Sequence, residues 1–132
     1  MMDVFLDTSA VLPLLLNEPN THAALAMWQE QRSAWAWSWM AVEAEAALIR
    51  RKASEAIWRQ WRNLERNIAW VDPEHGWEVS LRDFNRALGL RAADAGNLFV
   101  FDRALRAIPD LKLASFDHEM REAARRINLP LV

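Results

Sequence analysis

The chain alternates short apolar segments with longer amphipathic ones, and this alternation restricts its fold more than any other feature. The short segments are rich in β-type residues, whereas the longer ones carry apolar residues at helical spacing. A strand that is followed by a helix pairs in parallel with the next strand, because the helix returns the chain to the same edge of the sheet. The sequence therefore predicts an α/β protein, a three-layer α/β/α sandwich around a short, mostly parallel sheet.

The predicted elements cover most of the chain. The predicted strands are residues 4–6, 34–37, 70–71, 111–116 and 129–132. The predicted helices are residues 10–16, 21–31, 39–52, 54–69, 73–88, 91–106 and 117–127, with Ser38 as N-cap of the third. Because no linker or internal repeat divides these elements, we expect a single domain over residues 1–132.

The residue types that the chain lacks exclude several kinds of site. There is no cysteine, which rules out disulfides, thiolate zinc sites, iron–sulfur clusters and a cysteine nucleophile. The three histidines have no metal-ligand spacing, and three glycines cannot form a glycine-rich phosphate loop. The net charge of −2 and the pI near 5.9 argue against nucleic-acid binding by bulk charge, but they allow a local basic groove.

The N-terminal residues carry acids where a signal peptide needs lysine or arginine. The longest apolar runs, residues 10–16 and 34–42, are shorter than the ~20 residues that span a bilayer. We therefore expect a cytoplasmic protein without a membrane segment.

Four acidic residues map to the edge of the sheet where ligands bind in open α/β folds, beyond the carboxyl ends of the strands. Asp7 and Asp117 directly follow predicted strands, whereas Glu43 and Asp94 lie in the opening turns of predicted helices. Each of them also has an ordinary explanation as a helix cap or a partner of the helix dipole. Their shared position suggests a common site.

The support for the four acids from periodicity differs. Asp94 heads an apolar stripe that should face the core, so its carboxylate requires a partner. Glu43 has a rival in Glu45, which lies on the helix face that carries Val42 and Ile49. Asp3 and Asp102 rank lower, and Arg103 and Arg106 make a solvated ion pair the natural role of Asp102.

Converging carboxylates repel one another, by about 3 kcal/mol for a pair at ~5 Å in an effective dielectric of ~20. A bound cation or raised pKa values relieve this repulsion. An all-oxygen ligand set favours Mg²⁺, with Mn²⁺ as a substitute. Such ions activate water and stabilise charge on a phosphoryl oxygen, which indicates metal-assisted phosphodiester hydrolysis.

Four segments in order resemble the motifs of PIN-domain nucleases, and they cover nearly the whole chain. They are residues 4–10 (VFLDTSA), 38–43 (SWMAVE), 90–95 (LRAADA), and 115–117 (SFD) with the tail 120–124 (MREAA) and 129–132 (LPLV). The size and layout resemble the VapC-type toxins of bacterial toxin–antitoxin pairs.

The resemblance implies a magnesium-dependent ribonuclease, usually a homodimer, that an antitoxin inhibits by covering its groove. It implies that Asp7, Glu43, Asp94 and Asp117 are the metal-site acids, and it selects Glu43 over Glu45. It also implies that Thr8 or Ser9 orients Asp7 or a metal-bound water. The sequence departs from the family pattern at residues 96–97, Gly-Asn, where a histidine or a further acid is common, which argues against a second tightly held metal.

Other functions fit the sequence less well. A haloacid-dehalogenase-like phosphatase needs a second Asp where Ser9 stands, and a receiver domain needs a lysine at the end of a late strand, whereas Lys112 lies within one. The alternative that remains is a catalytically degenerate PIN-like module that binds RNA or a partner.

The tryptophans allow several roles. Trp35, Trp37 and Trp39 belong to the core or a subunit interface, or stack on bases. Trp58 and Trp61 fit a dimer or antitoxin contact as well as an ordinary core face.

Overall fold

A computed structural model describes residues 1–132 and contains a four-stranded parallel sheet. The strands are β1 (Met2–Leu6), β2 (Gln31–Trp37), β3 (Ala69–Val71) and β4 (Leu111–Ala114), in the order β3-β2-β1-β4. The helices are α1 (Thr8–Leu15), α2 (Thr21–Glu30), α3 (Ser38–Arg50), α4 (Glu55–Arg66), α5 (Trp77–Asn85), α6 (Ala92–Ala107) and α7 (His118–Arg126). The predicted three-layer α/β/α class is confirmed.

Alternate residues of β1 point to opposite faces of the sheet and divide the core in two. Val4 and Leu6 belong to a cluster with buried residues of helices α1 to α4, among them the fully buried Trp61. Phe5 belongs to a second cluster with buried residues of α6 and α7. The sheet therefore separates two apolar layers, as strands buried on both faces require.

The sheet order creates a crevice at one end of the molecule. The chain leaves β1 toward β2 and β3 on one side, and later returns to place β4 on the other side of β1. The helices that follow β1 and β4 therefore diverge at the carboxyl ends of these two strands. This reversal of strand order is where open α/β sheets bind ligands.

A close approach between β2 and α6 depends on a glycine. A Cβ atom on Gly96 would lie 2.6 Å from Cη2 of Trp37, the last residue of β2. The neighbouring α6 residues Leu98, Phe99 and Phe101 are almost completely buried. Gly96 therefore lets the first turns of α6 pack directly against the end of β2.

Some predicted boundaries were wrong. Ser38 is the first residue of α3 rather than its cap, because β2 runs directly into the helix and leaves Trp37 at the N-cap. The predicted helix 73–88 begins only at Trp77, because Gly76 has a φ of +81°. The predicted strand 111–116 ends at Ala114, because the N–H of Phe116 donates to a serine side chain instead of a neighbouring strand.

One further expectation about an apolar segment also needs correction. The predicted strand 129–132 reduces to a single parallel bridge between Leu113 and Leu131. The face of α3 that carries Val42 and Ile49 is open to solvent, with 52% and 66% of these residues exposed. None of the seven helices combines the length and apolar character that a bilayer crossing needs.

Candidate active site

Asp7 lies at the carboxyl end of β1 and is only 6% exposed. Its Oδ2 accepts hydrogen bonds from Ser9 Oγ at 2.5 Å and Ser115 Oγ at 3.0 Å, and a longer one from the Ser9 N–H at 3.4 Å. Its Oδ1 accepts from Asn97 Nδ2 at 2.9 Å. The donors lie in the first turn of α1, in the segment after β4 and on α6. Together they hold this carboxylate in one orientation.

Toward the ionised carboxylate of Asp7, the two serine hydroxyls act as donors. Ser9 Oγ accepts the Phe116 N–H at 2.9 Å, and Ser115 Oγ accepts the Asp117 N–H at 3.1 Å. Each hydroxyl has a single hydrogen, which it gives to Asp7. These bonds also tie the end of β4 to the end of β1, which the Asp7 N–H reinforces by donating to the Ala114 carbonyl.

Asn97 is 1% exposed, and its amide nitrogen is bound to Asp7. Its Oδ1 is buried without any hydrogen-bond partner. An unsatisfied buried acceptor costs about 1–3 kcal/mol of stability. The fold therefore keeps a polar side chain beside Asp7 at the expense of stability, which is typical of functional sites.

The two glutamates that compete in the sequence lie in different surroundings. Glu43 accepts a hydrogen bond from Thr8 Oγ1 at 3.0 Å, and Thr8 is the residue next to Asp7. Glu45 accepts a hydrogen bond from Trp61 Nε1 at 2.9 Å. This bond holds its carboxylate beside the apolar core between α3 and α4. Of the two, the structure brings Glu43 to the carboxyl end of β1.

Asp94 and Asp117 lie on the helices that begin at the same edge. Asp94 occupies the first turn of α6 and is half-buried. Asp117 is the N-cap of α7, and its Oδ1 accepts the Met120 N–H at 3.0 Å. The capping role that the sequence allowed for Asp117 is therefore real, as it is for Asp7 at α1.

The pKa values of the acids show that they share one electrostatic environment. Burial raises the pKa of Asp7, and the charge of Asp117 adds a smaller contribution in the same direction. Burial also raises the pKa of Glu43, with further contributions from Asp7 and Asp94. Burial and then the charges of Asp117 and Asp7 raise the pKa of Asp94 to about 6. The four predicted acids thus repel one another across the crevice.

No salt bridge relieves this repulsion. The ion pairs of the molecule involve Asp3, Glu18, Asp83, Asp102 and Glu122, and none of the four site acids. Arg91, next to the first turn of α6, is the one cation that lowers the pKa of Asp94. The predicted pairing of Asp102 with Arg103 and Arg106 is confirmed.

The donor chemistry of this site fits a hard divalent cation. The site offers carboxylate oxygens, lacks sulfur and imidazole ligands, and carries negative charge that no cationic side chain pairs. The structure nevertheless contains no group of three or more acidic or histidine side chains already arranged to hold a metal ion. The residues present therefore suit the ion by type and charge, while a coordination shell requires the carboxylates to draw together.

Three participants were missed in the sequence. Ser115 and Asn97 contact Asp7 directly, and the charge of Glu119 contributes to the raised pKa of Asp94. Ser115 directly follows a strand and Glu119 lies in the next helical turn, so their positions carried a signal. The sequence marked position 97 only as a departure from the family pattern, because the contact of Asn97 with Asp7 depends on how α6 is rotated toward β1.

A cavity of about 650 Å³ lies away from these acids, between the β3–α5 loop and the second half of α6. Two of its cations, Arg103 and Arg106, pair with Asp102, and the guanidinium of Arg103 stacks on Phe99 at 4.5 Å. These charges are paired within the chain, whereas those of the acidic crevice are not. We therefore place the ion-binding site at the acidic crevice rather than in this cavity.

Comparisons with known proteins identify the family and the fold. The family model described as PIN domain matches residues 3–99, a span that includes Asp7, Glu43 and Asp94. Comparison with curated proteins gave no significant match.

Two solved structures share the fold. The crystal structure of VapC20 from Mycobacterium tuberculosis, described as a sarcin–ricin loop cleaving toxin, superposes with a TM-score of 0.71 at 17% identity, over 91% of this chain and 94% of that one. PAE2754 from Pyrobaculum aerophilum superposes with a TM-score of 0.61 at 16% identity, over 92% of this chain and 86% of that one.

Proposed function

Because this chain belongs to the PIN domain family, we propose that it is a divalent-metal-dependent ribonuclease and the toxin of a toxin–antitoxin pair. The observation that carries the proposal is the crevice at the β1–β4 edge, where the pKa values of Asp7, Glu43 and Asp94 are raised by burial and by neighbouring acids, and where none of the four carboxylates forms a salt bridge. A fold that only binds a partner has no need to keep such unfavourable charge together.

The choice of RNA as substrate has separate support. VapC20, which shares the fold over nearly the full length of both chains, is described as a toxin that cleaves the sarcin–ricin loop. We extend to this chain the class of substrate and the role as a toxin, but not the individual target. An RNA substrate also agrees with the expectation of a cytoplasmic protein.

We assign the cation to Asp7, Glu43, Asp94 and Asp117, with Mg²⁺ as the expected ion and Mn²⁺ as a substitute. When bound, such an ion lowers the pKa of a water and stabilises negative charge on the phosphoryl oxygens. The net reaction consumes one water: an oxygen–phosphorus bond forms, the bond to the leaving sugar oxygen breaks, and that oxygen takes up a proton.

The other polar residues of the site act as positioning residues. Ser9, Ser115 and Asn97 fix the two oxygens of Asp7, and Thr8 fixes one oxygen of Glu43. Since these donors stabilise the ionised form of the carboxylates, they keep Asp7 and Glu43 ready to receive a cation despite burial. Side chains that orient ligands in this way are worth about 10–100-fold in metal affinity or activity.

We also propose that the protein forms a homodimer and that an antitoxin covers the acidic crevice. An inhibitor of this site must present positive charge to the four carboxylates, so the proposed antitoxin carries a cationic segment that enters the crevice. Size-exclusion chromatography with light scattering tests the dimer.

The ribonuclease is tested by incubating the purified protein with RNA in Mg²⁺, in Mn²⁺ and in a chelator. We expect cleavage in both metals and none in the chelator. The thermal midpoint is a second readout, since an ion that binds only the folded state stabilises it. Mg²⁺ should raise the midpoint of the wild type more than that of Asp94→Asn. RNA binding without metal-dependent cleavage would instead support the degenerate PIN-like module.

A further inference from the structure

Trp39 is an exposed aromatic residue at the edge of the acidic crevice. It is 46% exposed, although it lies in the first turn of α3, and Glu43 follows it four residues later. Residues four apart on a helix are neighbours on the same face. The indole of Trp39 therefore lies one helical turn from the Glu43 carboxylate, toward the end of the sheet where the acids meet.

The ring of Trp39 rests on a rigid support. Its centroid lies 6.2 Å from that of Trp37, with 33° between the ring planes. Trp37 is 8% exposed and packs edge-on against Trp77 at 6.0 Å. Trp37 also presses on Gly96, where even a methyl group would not fit. The indole is thus held from beneath, while almost half of the residue stays open to solvent.

This support connects Trp39 to both sides of the site. Gly96, against which Trp37 packs, lies two residues after Asp94 on α6, and Glu43 lies on α3 itself. Arg91, at the start of α6, is exposed and forms no salt bridge. Trp39, one helical turn from Glu43, and Arg91, near Asp94, therefore offer the two side-chain types that bind a nucleotide: an aromatic ring for the base and a guanidinium for the phosphate.

We propose that Trp39 is a substrate-binding residue that stacks on an unpaired base of the RNA next to the cleaved phosphodiester. The inference rests on the proposed ribonuclease function. It also explains why an indole that could complete the apolar cluster around Trp37 and Trp77 remains open to solvent.

A nucleobase is favoured over a protein partner by the position and shape of the exposed surface. Val42 and Ile49 are also exposed on α3, but they are aliphatic, and Ile49 lies at the far end of the helix. Trp39 is the one aromatic side chain among the exposed large apolar residues, and because Trp37 supports its ring, little entropy is lost on binding.

The test uses short single-stranded RNA that the wild-type protein cleaves in Mg²⁺. We expect Trp39→Ala to raise KM about tenfold with little change in kcat, since stacking of this kind is worth about a factor of ten or more per base. Trp39→Phe should retain most of the affinity. Ile49→Ala, which removes a still more exposed apolar side chain from the same helix, should behave like the wild type.

Abasic substitutions in the RNA identify the stacked base directly. One abasic position beside the cleavage site should cost the wild type about tenfold in KM and cost Trp39→Ala nothing further. Circular dichroism checks the fold of each variant. If Trp39→Ala does not fold, the abasic scan on the wild type and on Trp39→Phe decides.

The outcomes separate the two proposals. Intact cleavage with no sensitive abasic position, or with an unchanged KM for Trp39→Ala, would overturn the stacking inference alone. If that variant instead lost its dimer, Trp39 would belong to a protein interface. Absence of any RNA cleavage by the wild type would overturn the ribonuclease proposal as well.

Discussion

Two aspartates at the two ends of one strand show how differently one fold can treat a buried carboxylate. Asp3 and Asp7 lie near opposite ends of β1 and are 7% and 6% exposed. Asp3 forms a two-pronged ion pair with Arg32 and also accepts from Ser33 at 2.6 Å. These bonds, the one from Arg32 foremost, lower the pKa of Asp3 to about 2. Burial and a neighbouring acid raise the pKa of Asp7, which has no cationic partner.

The difference teaches that burial of an acid does not by itself indicate function. At the Asp3 end the chain supplies its own counter-charge, so the carboxylate is complete within the fold. At the Asp7 end the neighbours are hydroxyl and amide donors and further acids. A buried acid without a cationic partner in the chain is therefore a candidate ligand for a bound cation.

The largest expected effect separates the two aspartates by activity. Asp7→Asn should lower metal-dependent RNA cleavage by more than ~100-fold. Removing a proposed metal ligand should reduce activity more than removing a residue that only orients a ligand. Asp3→Asn should retain cleavage close to wild type when assayed under folded conditions. Initial rates on the same RNA measure both. Equal losses in the two variants would remove the distinction between the two ends of β1.

The next effect compares the serines that donate to these aspartates. Ser115→Ala should lower cleavage by about 10–100-fold, since it removes a donor that orients Asp7. Ser33→Ala, which removes a donor to Asp3, should leave cleavage unchanged. Titration of Mg²⁺ by thermal shift should show weaker binding for Ser115→Ala only. A similar loss of activity in Ser33→Ala would mean that both serines act through general stability.

The smallest effect concerns the pH dependence of stability in metal-free protein. The lowered pKa of Asp3 means that its ion pair stabilises the fold above the ordinary pKa near 4, and that this contribution disappears as the pH falls toward 2. The raised pKa of Asp94 has the opposite sign: its charge destabilises the fold above pH 6, and stability recovers as the pH falls from 6 toward 4.

Denaturant unfolding across this pH range checks both signs. Asp3→Asn should be less stable than the wild type at neutral pH, with the difference closing below pH 4. Asp94→Asn should equal or exceed the wild type at neutral pH, with the difference shrinking as the pH falls to 4. A wild-type stability that declined steadily from pH 7 to pH 4 would contradict the uncompensated charge of the crevice.

Much of the fold was accessible from the sequence, because it depends on local patterns. The alternation of segments predicted the parallel sheet and its helices, and short motifs placed acids after strands and in first helical turns. Errors occurred where one local contact overrides a pattern, as at Gly76, whose positive φ delays α5, and at Phe116, whose N–H turns to Ser9. The identity of the metal ligands stays a prediction.

The site was less accessible, because its contacts join distant segments. Periodicity did not separate Glu43 from Glu45, and the structure gives them different partners in Thr8 and Trp61. Val42 and Ile49, which share the helix face of Glu45, are exposed. Asn97 lies 90 positions from the aspartate that it contacts, so the sequence did not predict this contact.

The sequence by itself determined the order of the elements, the parallel sheet and the presence of acids at its carboxyl edge, since these follow from spacing along the chain. Only the tertiary structure decided which acids are compensated. Arg32 reaches Asp3 because β2 pairs with β1, whereas Ser115 and Asn97 reach Asp7 because β4 and α6 close on the other end. Charge compensation depends on distances of a few ångströms between segments far apart in the chain, and packing alone sets those distances.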